Sequence, residues 1–241
     1  MDLTWAAGGA LAGVPLGAAL RGVVHRMSVP YGEPDRTTCG HCGRPVGSPP
    51  PWLTRWPRTG CRHCGGRLAT PLAMELATAA VLAVLLGRFA GRPDVAAFAF
   101  LGVLGVVLAA IDLAVRRLPD RLTLPAYPVA VALLAAAAVA GHEPGSLLRA
   151  LLGGAALTGA YLLLALLRPG QLGTGDIKLA GLVGIALAWL GWPVLLTGAL
   201  LGFVLLAVAG LALLAARRIT LGGDLPFGPF MLAGALAAAV L

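Results

Sequence analysis

The chain has 241 residues, 59% of them hydrophobic and 12% charged, with a formal net charge of +8 and a mean hydropathy of +0.88. So little polar surface cannot cover a soluble globule, so the composition excludes one and specifies an integral membrane protein. Most basic residues stand in short loops between apolar runs, where topology and anionic headgroups account for them, and no nucleic-acid partner is expected.

At about 20 apolar residues per span, fewer where a helix is tilted or broken, the pattern predicts an all-α, polytopic membrane helix bundle of about eight transmembrane helices. The first, at 4–24, follows Met1-Asp-Leu-Thr4, which carries no positive charge, while Arg21, His25 and Arg26 stand at its far end. A cleaved signal peptide has the opposite order, so this helix is expected to be retained.

Residues 25–70 form a polar loop rich in Pro and Gly that holds all four cysteines, in the pattern Cys39-x2-Cys42-x18-Cys61-x2-Cys64. Two thiolate pairs at this spacing converge on one tetrahedral ion, as in a zinc knuckle or ribbon. Disulfides are disfavoured in a reducing cytoplasm, and a redox pair would not need the duplicate, so structural zinc is the expectation. Four sulfur ligands close the site, and the metal would fold a loop too small to build its own core.

The remaining helices are predicted at 71–88, 96–113, 124–141, 147–167, 177–191, 193–215 and 228–241. A Pro-centred turn at Gly191-Trp-Pro193 divides the sixth from the seventh, although a kink in one long helix gives the same pattern. Three segments follow: 1–24 as first helix, 25–70 as zinc loop and 71–241 as membrane core. If the helices alternate, most Lys and Arg residues fall on one side and only Arg88, Arg92 and Arg149 on the other. The positive-inside rule makes the majority side cytoplasmic. Asp112, Asp120, Asp176 and Asp224 then lie at the cytoplasmic face, with the N-terminus outside.

Asp112 ends the apolar run from Phe98, and Asp176 opens another in Leu172-Gly-Thr-Gly-Asp-Ile-Lys178. A carboxylate in or just under the bilayer is costly unless paired, protonated or wetted, so two at matching depth point to a functional pair. Nearby like charges do not both ionise easily; one carboxyl can act as base toward a water and the other as acid toward a carbonyl oxygen. The bland alternatives are an N-cap for Asp176, with its helix beginning at Ile177, and a salt bridge to Arg116 for Asp112. Asp120, after Pro119, is read as the cap of a helix starting near Leu122. Gly173 and Gly175 permit close approach at the helix start. Lys178 is read as a headgroup contact or the partner of another carboxylate, and Pro226-Phe-Gly-Pro229 as a re-entry turn or the edge of a cleft.

Four features, in this order along the chain, resemble one family: the four-cysteine loop; Ile111-Asp-Leu-Ala-Val-Arg-Arg-Leu-Pro-Asp-Arg-Leu-Thr-Leu-Pro125; Gly-x-Gly-Asp-x-Lys at 173–178; and Leu225-Pro-Phe-Gly-Pro-Phe230. Together they are similar to the bacterial type IV prepilin peptidases, of the Gly-x-Gly-Asp intramembrane aspartic type. The resemblance implies an inner-membrane aspartic endopeptidase that cuts the basic leader from prepilins or pseudopilins at the cytoplasmic face. Asp112 and Asp176 are the implied catalytic pair, with Asp120 in support. Glu75 matches a family glutamate, which would orient the leader or its amino group or make an interhelical hydrogen bond. Many members also methylate the new N-terminus from S-adenosylmethionine. Here the first helix reads Gly13-Val-Pro-Leu-Gly-Ala-Ala-Leu-Arg21 and on to Arg26 without the asparagine usual in such members, so methyl transfer stays open. The rival readings are a proton-coupled transporter using the same carboxylates and a non-catalytic scaffold.

Overall fold

A computed structural model describes residues 2–45, 61, 63–65, 72–141, 144–168, 172–218 and 225–241. Asp224, Arg55, Arg58, Arg62 and Arg67 fall outside the described residues. Among the described residues lie eight helices: α1 (Leu3–Met27), α2 (Ala73–Phe89), α3 (Val95–Val115), α4 (Asp120–Gly141), α5 (Pro144–Leu167), α6 (Thr174–Leu190), α7 (Trp192–Ala215) and α8 (Gly228–Val240). Gly191 separates α6 from α7, and Pro193 sits in the first turn of α7, so the predicted turn is a true break.

Five of these helices, α1, α3, α4, α5 and α7, are long and apolar enough to cross a membrane. Helices α2 and α6 have 17 residues each and α8 has 13. At 1.5 Å per residue, 17 residues rise about 26 Å, short of a hydrocarbon core of about 30 Å. Leucines such as Leu200 and Leu211 on α7 point outward, as a lipid-facing surface requires. The all-helical, membrane-embedded fold read from composition is the fold observed.

The chain divides into two compact units, Met1–Arg117 and Leu118–Leu241. In the first, Gly9, Gly13 and Gly17 form a stripe at every fourth position of α1 that lies on α2. A methyl added at Gly9 would stand 2.5 Å from the Leu82 carbonyl oxygen, and one at Gly17 2.6 Å from that of Met74. In lipid, helix association rests on such packing, because hydrocarbon tails leave no hydrophobic gain between apolar helices. Asp2 caps α1, its Oδ1 accepting from the Thr4 and Trp5 amides at 3.0 and 3.4 Å. Arg117 ties the end of α3 to the segment after α1 by donating to the Val29 carbonyl at 3.0 Å.

In the second unit α5 and α6 run antiparallel in close contact. Arg149, near the start of α5, donates to the Ala188 and Trp189 carbonyls at 2.7 and 2.6 Å, so it caps the C-terminal end of α6. Gly181 of α6 faces Thr158 of α5, whose Oγ1 lies 2.6 Å from where a Cβ would be. Helix α7 packs on α8 through Gly198, Gly202 and Gly234.

Candidate functional site

The two candidate catalytic carboxylates sit at opposite kinds of helix end. Asp112 is in the last turn of α3, 5% exposed, and its carbonyl accepts from the Arg116 amide at 2.7 Å. Arg116 turns left-handed at φ 51° and stops the helix. The described Arg116–Asp112 contact is therefore between backbones. Asp112 belongs to the first unit and Asp176 to the second.

Asp176 is not the N-cap of α6. The helix begins three residues earlier than the sequence suggested, with Gly173 as cap, so Asp176 is its third residue. Its amide donates to the Gly173 carbonyl at 3.1 Å. Its Oδ2 leans back over the helix start, 3.3 Å from where a Gly173 side chain would begin. A negative charge in this first turn is favoured by the helix dipole. Gly175 has a specific steric duty, since a Cβ there would stand 2.9 Å from Leu118 Cβ. The second glycine of Gly-x-Gly-Asp thus seats the turn carrying Asp176 on the residue that precedes Pro119-Asp120.

Asp120 is also not a cap. It is the first residue of α4, and the Pro119 carbonyl takes the cap role by accepting from the Leu122 and Thr123 amides at 3.0 and 3.1 Å. The Asp120 carboxylate instead accepts from Lys178 Nζ at 2.6 Å, which selects the carboxylate-partner reading of Lys178. Two turns further along α4, the Tyr127 hydroxyl donates to the Lys178 carbonyl at 2.6 Å. Both contacts hold the start of α6 against α4.

Glu75 is 6% exposed and Arg21 5% exposed. Arg21 Nε donates to Glu75 Oε2 at 3.1 Å, and its Nη2 meets Oε1, making a two-pronged pair between α1 and α2. The interhelical bond is the reading realised, as an ion pair. Arg21 escaped notice in the sequence because it was counted only toward topology. The signal was a lone cation in one span and a lone anion in the next.

The four cysteine sulfurs lie within 4.8 Å of one another, with Cys39 to Cys64 at 3.9 Å and Cys42 to Cys61 at 3.5 Å. Zn–S bonds of about 2.3 Å in a tetrahedron require sulfurs about 3.8 Å apart. All four are free thiols, so the disulfide reading does not describe this fold. The two halves are repeats that the sequence reading overlooked, Cys39-Gly-His-Cys-Gly43 and Cys61-Arg-His-Cys-Gly65. In each, the glycine takes positive φ, 67° and 69°, and its amide donates to the first cysteine's carbonyl, at 2.9 and 2.8 Å. The turn aims amides at sulfur: the His41 amide lies 3.4 Å from Cys39 Sγ. Amides of His63 and Cys64 hold the Cys61 thiol down to about 6. Cys42 receives the Arg44 amide, yet burial and the neighbouring thiols push it up to about 11. Four sulfurs converging on one point are a donor set for a thiophilic cation, so these residues can hold one metal ion.

Tyr161 was not foreseen. It is 2% exposed, and its hydroxyl has no hydrogen-bond partner among the described residues. Such an oxygen costs about 1–3 kcal/mol. A tyrosine in an apolar helix gives little warning, because the same ring is also a core residue.

Residues 98–215 match the type IV leader peptidase family, a stretch that contains both Asp112 and Asp176. The chain is 35% identical over 210 residues to a prepilin leader peptidase/N-methyltransferase of Burkholderia pseudomallei, covering 84% of this chain and 58% of that protein. A protein of the same name from Klebsiella pneumoniae is 32% identical over 204 residues, 77% of this chain and 85% of the relative. One from Pseudomonas putida is 45% identical over 60 residues, 25% of this chain and 20% of the relative. The chain therefore spans a little over half the length of the Burkholderia relatives. No solved structure matches it. With this match, its four-cysteine cluster and its Gly-x-Gly-Asp turn, the chain belongs to the type IV leader peptidase family.

Proposed function

We propose that the chain is a membrane aspartic endopeptidase that removes the basic leader of type IV prepilins or pseudopilins. The observation that carries this reading is the family match over 98–215, which includes the buried Asp112 and the Asp176 turn. The attacking water loses a proton to the ionised one of the two carboxyls as its oxygen adds to the peptide carbonyl, whose oxygen is protonated by the other. The pair titrates as a unit, so no fixed acid and base are assigned. The scissile carbonyl must first leave its helix, and a basic leader held by anionic headgroups brings it to the interface.

The face is the cytoplasmic side of the bacterial inner membrane. In support, the three arginines left on the other side each have a local structural role. Arg92 binds Asp94 at 2.6 Å and, like Arg88, lies over the Phe89 ring, while Arg149 caps α6. Residues 25–70 are the zinc loop and 71–241 the peptidase core. Zinc on Cys39, Cys42, Cys61 and Cys64 would staple that loop, and the convergence of the four sulfurs within 4.8 Å of one another supports it. The family match gives the transporter reading no support.

The test is incubation of purified protein with a prepilin and labelled S-adenosylmethionine, reading cleavage and methylation separately. Asp112→Asn and Asp176→Asn should each abolish cleavage in folded protein. Cleavage at the parental rate in either variant would rule out the pair. Methylation of the cleaved product would add the second activity carried in the relatives' name.

A further inference from the structure

The orphan hydroxyl of Tyr161 sits on α5 at the level of the first turn of α6. Along α5, Gly154, Thr158 and Tyr161 recur at helical spacing on one face. The first two lie on α6, with Gly154 3.1 Å from the Gly181 carbonyl by its built Cβ and Thr158 over Gly181. Because Arg149 fixes the start of α5 at the end of α6, the two helices are antiparallel. Tyr161, about one turn beyond Thr158, therefore reaches the first turn of α6, where Asp176 stands.

The ring is held from its sides. Phe203 of α7 and Phe227 lie 5.7 and 5.8 Å from it, centroid to centroid, and 5.0 Å from each other. Phe227 comes from the Pro226-Phe-Gly-Pro229 segment, which thereby forms a wall of this cup. A phenylalanine would make the same ring contacts without burying an unpaired oxygen, so packing gives no reason for the hydroxyl. Among the described residues, the other two buried polar atoms without partners, His25 Nε2 and Ser28 Oγ, belong to the first unit.

Resting on the peptidase reading above, we propose that Tyr161 is a catalytic residue that donates a hydrogen bond to the carbonyl oxygen of the scissile peptide. As water adds to the carbonyl carbon, one water proton passes to the ionised carboxyl and the carbonyl oxygen takes the proton of the other. Tyr161 keeps its own proton throughout; its hydrogen bond strengthens as that oxygen becomes tetrahedral. When the C–N bond breaks, the carboxyl that gained the water proton returns it to the leaving amine. The diol hydroxyl proton restores the other carboxyl.

The test uses the full chain in membranes with a prepilin substrate and compares the parent, Tyr161→Phe and Asp176→Asn. For Tyr161→Phe, kcat should fall by about 10²–10³, the effect of removing one such donor. KM should stay within about threefold and the melting temperature should hold or rise, because the orphan oxygen is gone. A peptide carrying a hydroxymethylene in place of the scissile carbonyl should lose affinity for Tyr161→Phe, whereas an uncleavable ground-state peptide should not. If Asp176→Asn is inactive while Tyr161→Phe keeps kcat within about twofold of the parent, the Tyr161 assignment alone falls. A loss of activity matched by a loss of melting temperature also overturns it, since the oxygen would then be structural. If Asp176→Asn cleaves at the parental rate, the peptidase reading falls and takes Tyr161 with it.

Discussion

Replacing Glu75 by alanine leaves the Arg21 guanidinium buried between α1 and α2 without its anion. The side chains are 6% and 8% exposed, and the pair is joined through both carboxylate oxygens, so water cannot readily take the place of the lost partner. Breaking a buried pair on one side costs about 3–5 kcal/mol. For a chain of this length that corresponds to a fall of about 6–20 °C in melting temperature. Arg21→Leu with Glu75→Met removes both charges and keeps the volume. It should recover most of the loss, because hydrophobic replacement of a whole pair is near neutral and the glycine stripe still closes the helices. The assay is thermal unfolding of detergent-solubilised protein for the single variants Arg21→Leu and Glu75→Met, their double variant, Glu75→Ala and the parent, with prepilin cleavage measured alongside. Single variants within about 1 kcal/mol of the parent, or a double variant as unstable as the two losses added, would refute the account. A stable double variant that no longer cleaves would make the pair part of substrate handling and not a brace.

Gly175→Ala forces a Cβ to within 2.9 Å of Leu118 Cβ; the overpacking should cost about 1–3 kcal/mol. A displacement of about 1 Å at the adjoining Asp176 would lower cleavage about 10²-fold, Leu118→Ala in the same chain should restore much of it, and a Gly175→Ala variant at parental rate would contradict the steric role. Cys39→Ser or Cys61→Ser should abolish bound metal in elemental analysis and lower stability more than intrinsic cleavage; a well-folded, metal-free protein with full activity would dismiss the zinc staple. Arg149→Ala removes two charge-assisted bonds to the end of α6, at about 1.5–3 kcal/mol each. Faster hydrogen exchange over 185–191 should report it, and unchanged exchange would count against the cap.

Much of the fold was legible before any coordinates, for a physical reason: in lipid every backbone group must be satisfied within its own helix, so apolar runs and helices coincide. The eight predicted runs and the eight helices among the described residues therefore agree, and the cysteine spacing announced a cluster because ligand geometry is local. The sequence pattern places the starts of α4 and α6 a few residues late, because Asp120 and Asp176 suit a cap position while each in fact stands inside the first turn. Which polar group meets which was not legible. Arg21 finds Glu75 across 54 positions and Lys178 finds Asp120 across 58, and no periodicity along one helix encodes the neighbour it will face. The same holds for Tyr161. A ring on an apolar helix looks like core in any sequence, and only the packing of α5 on α6 shows an oxygen without a partner among the described residues, at the level of the turn that carries Asp176.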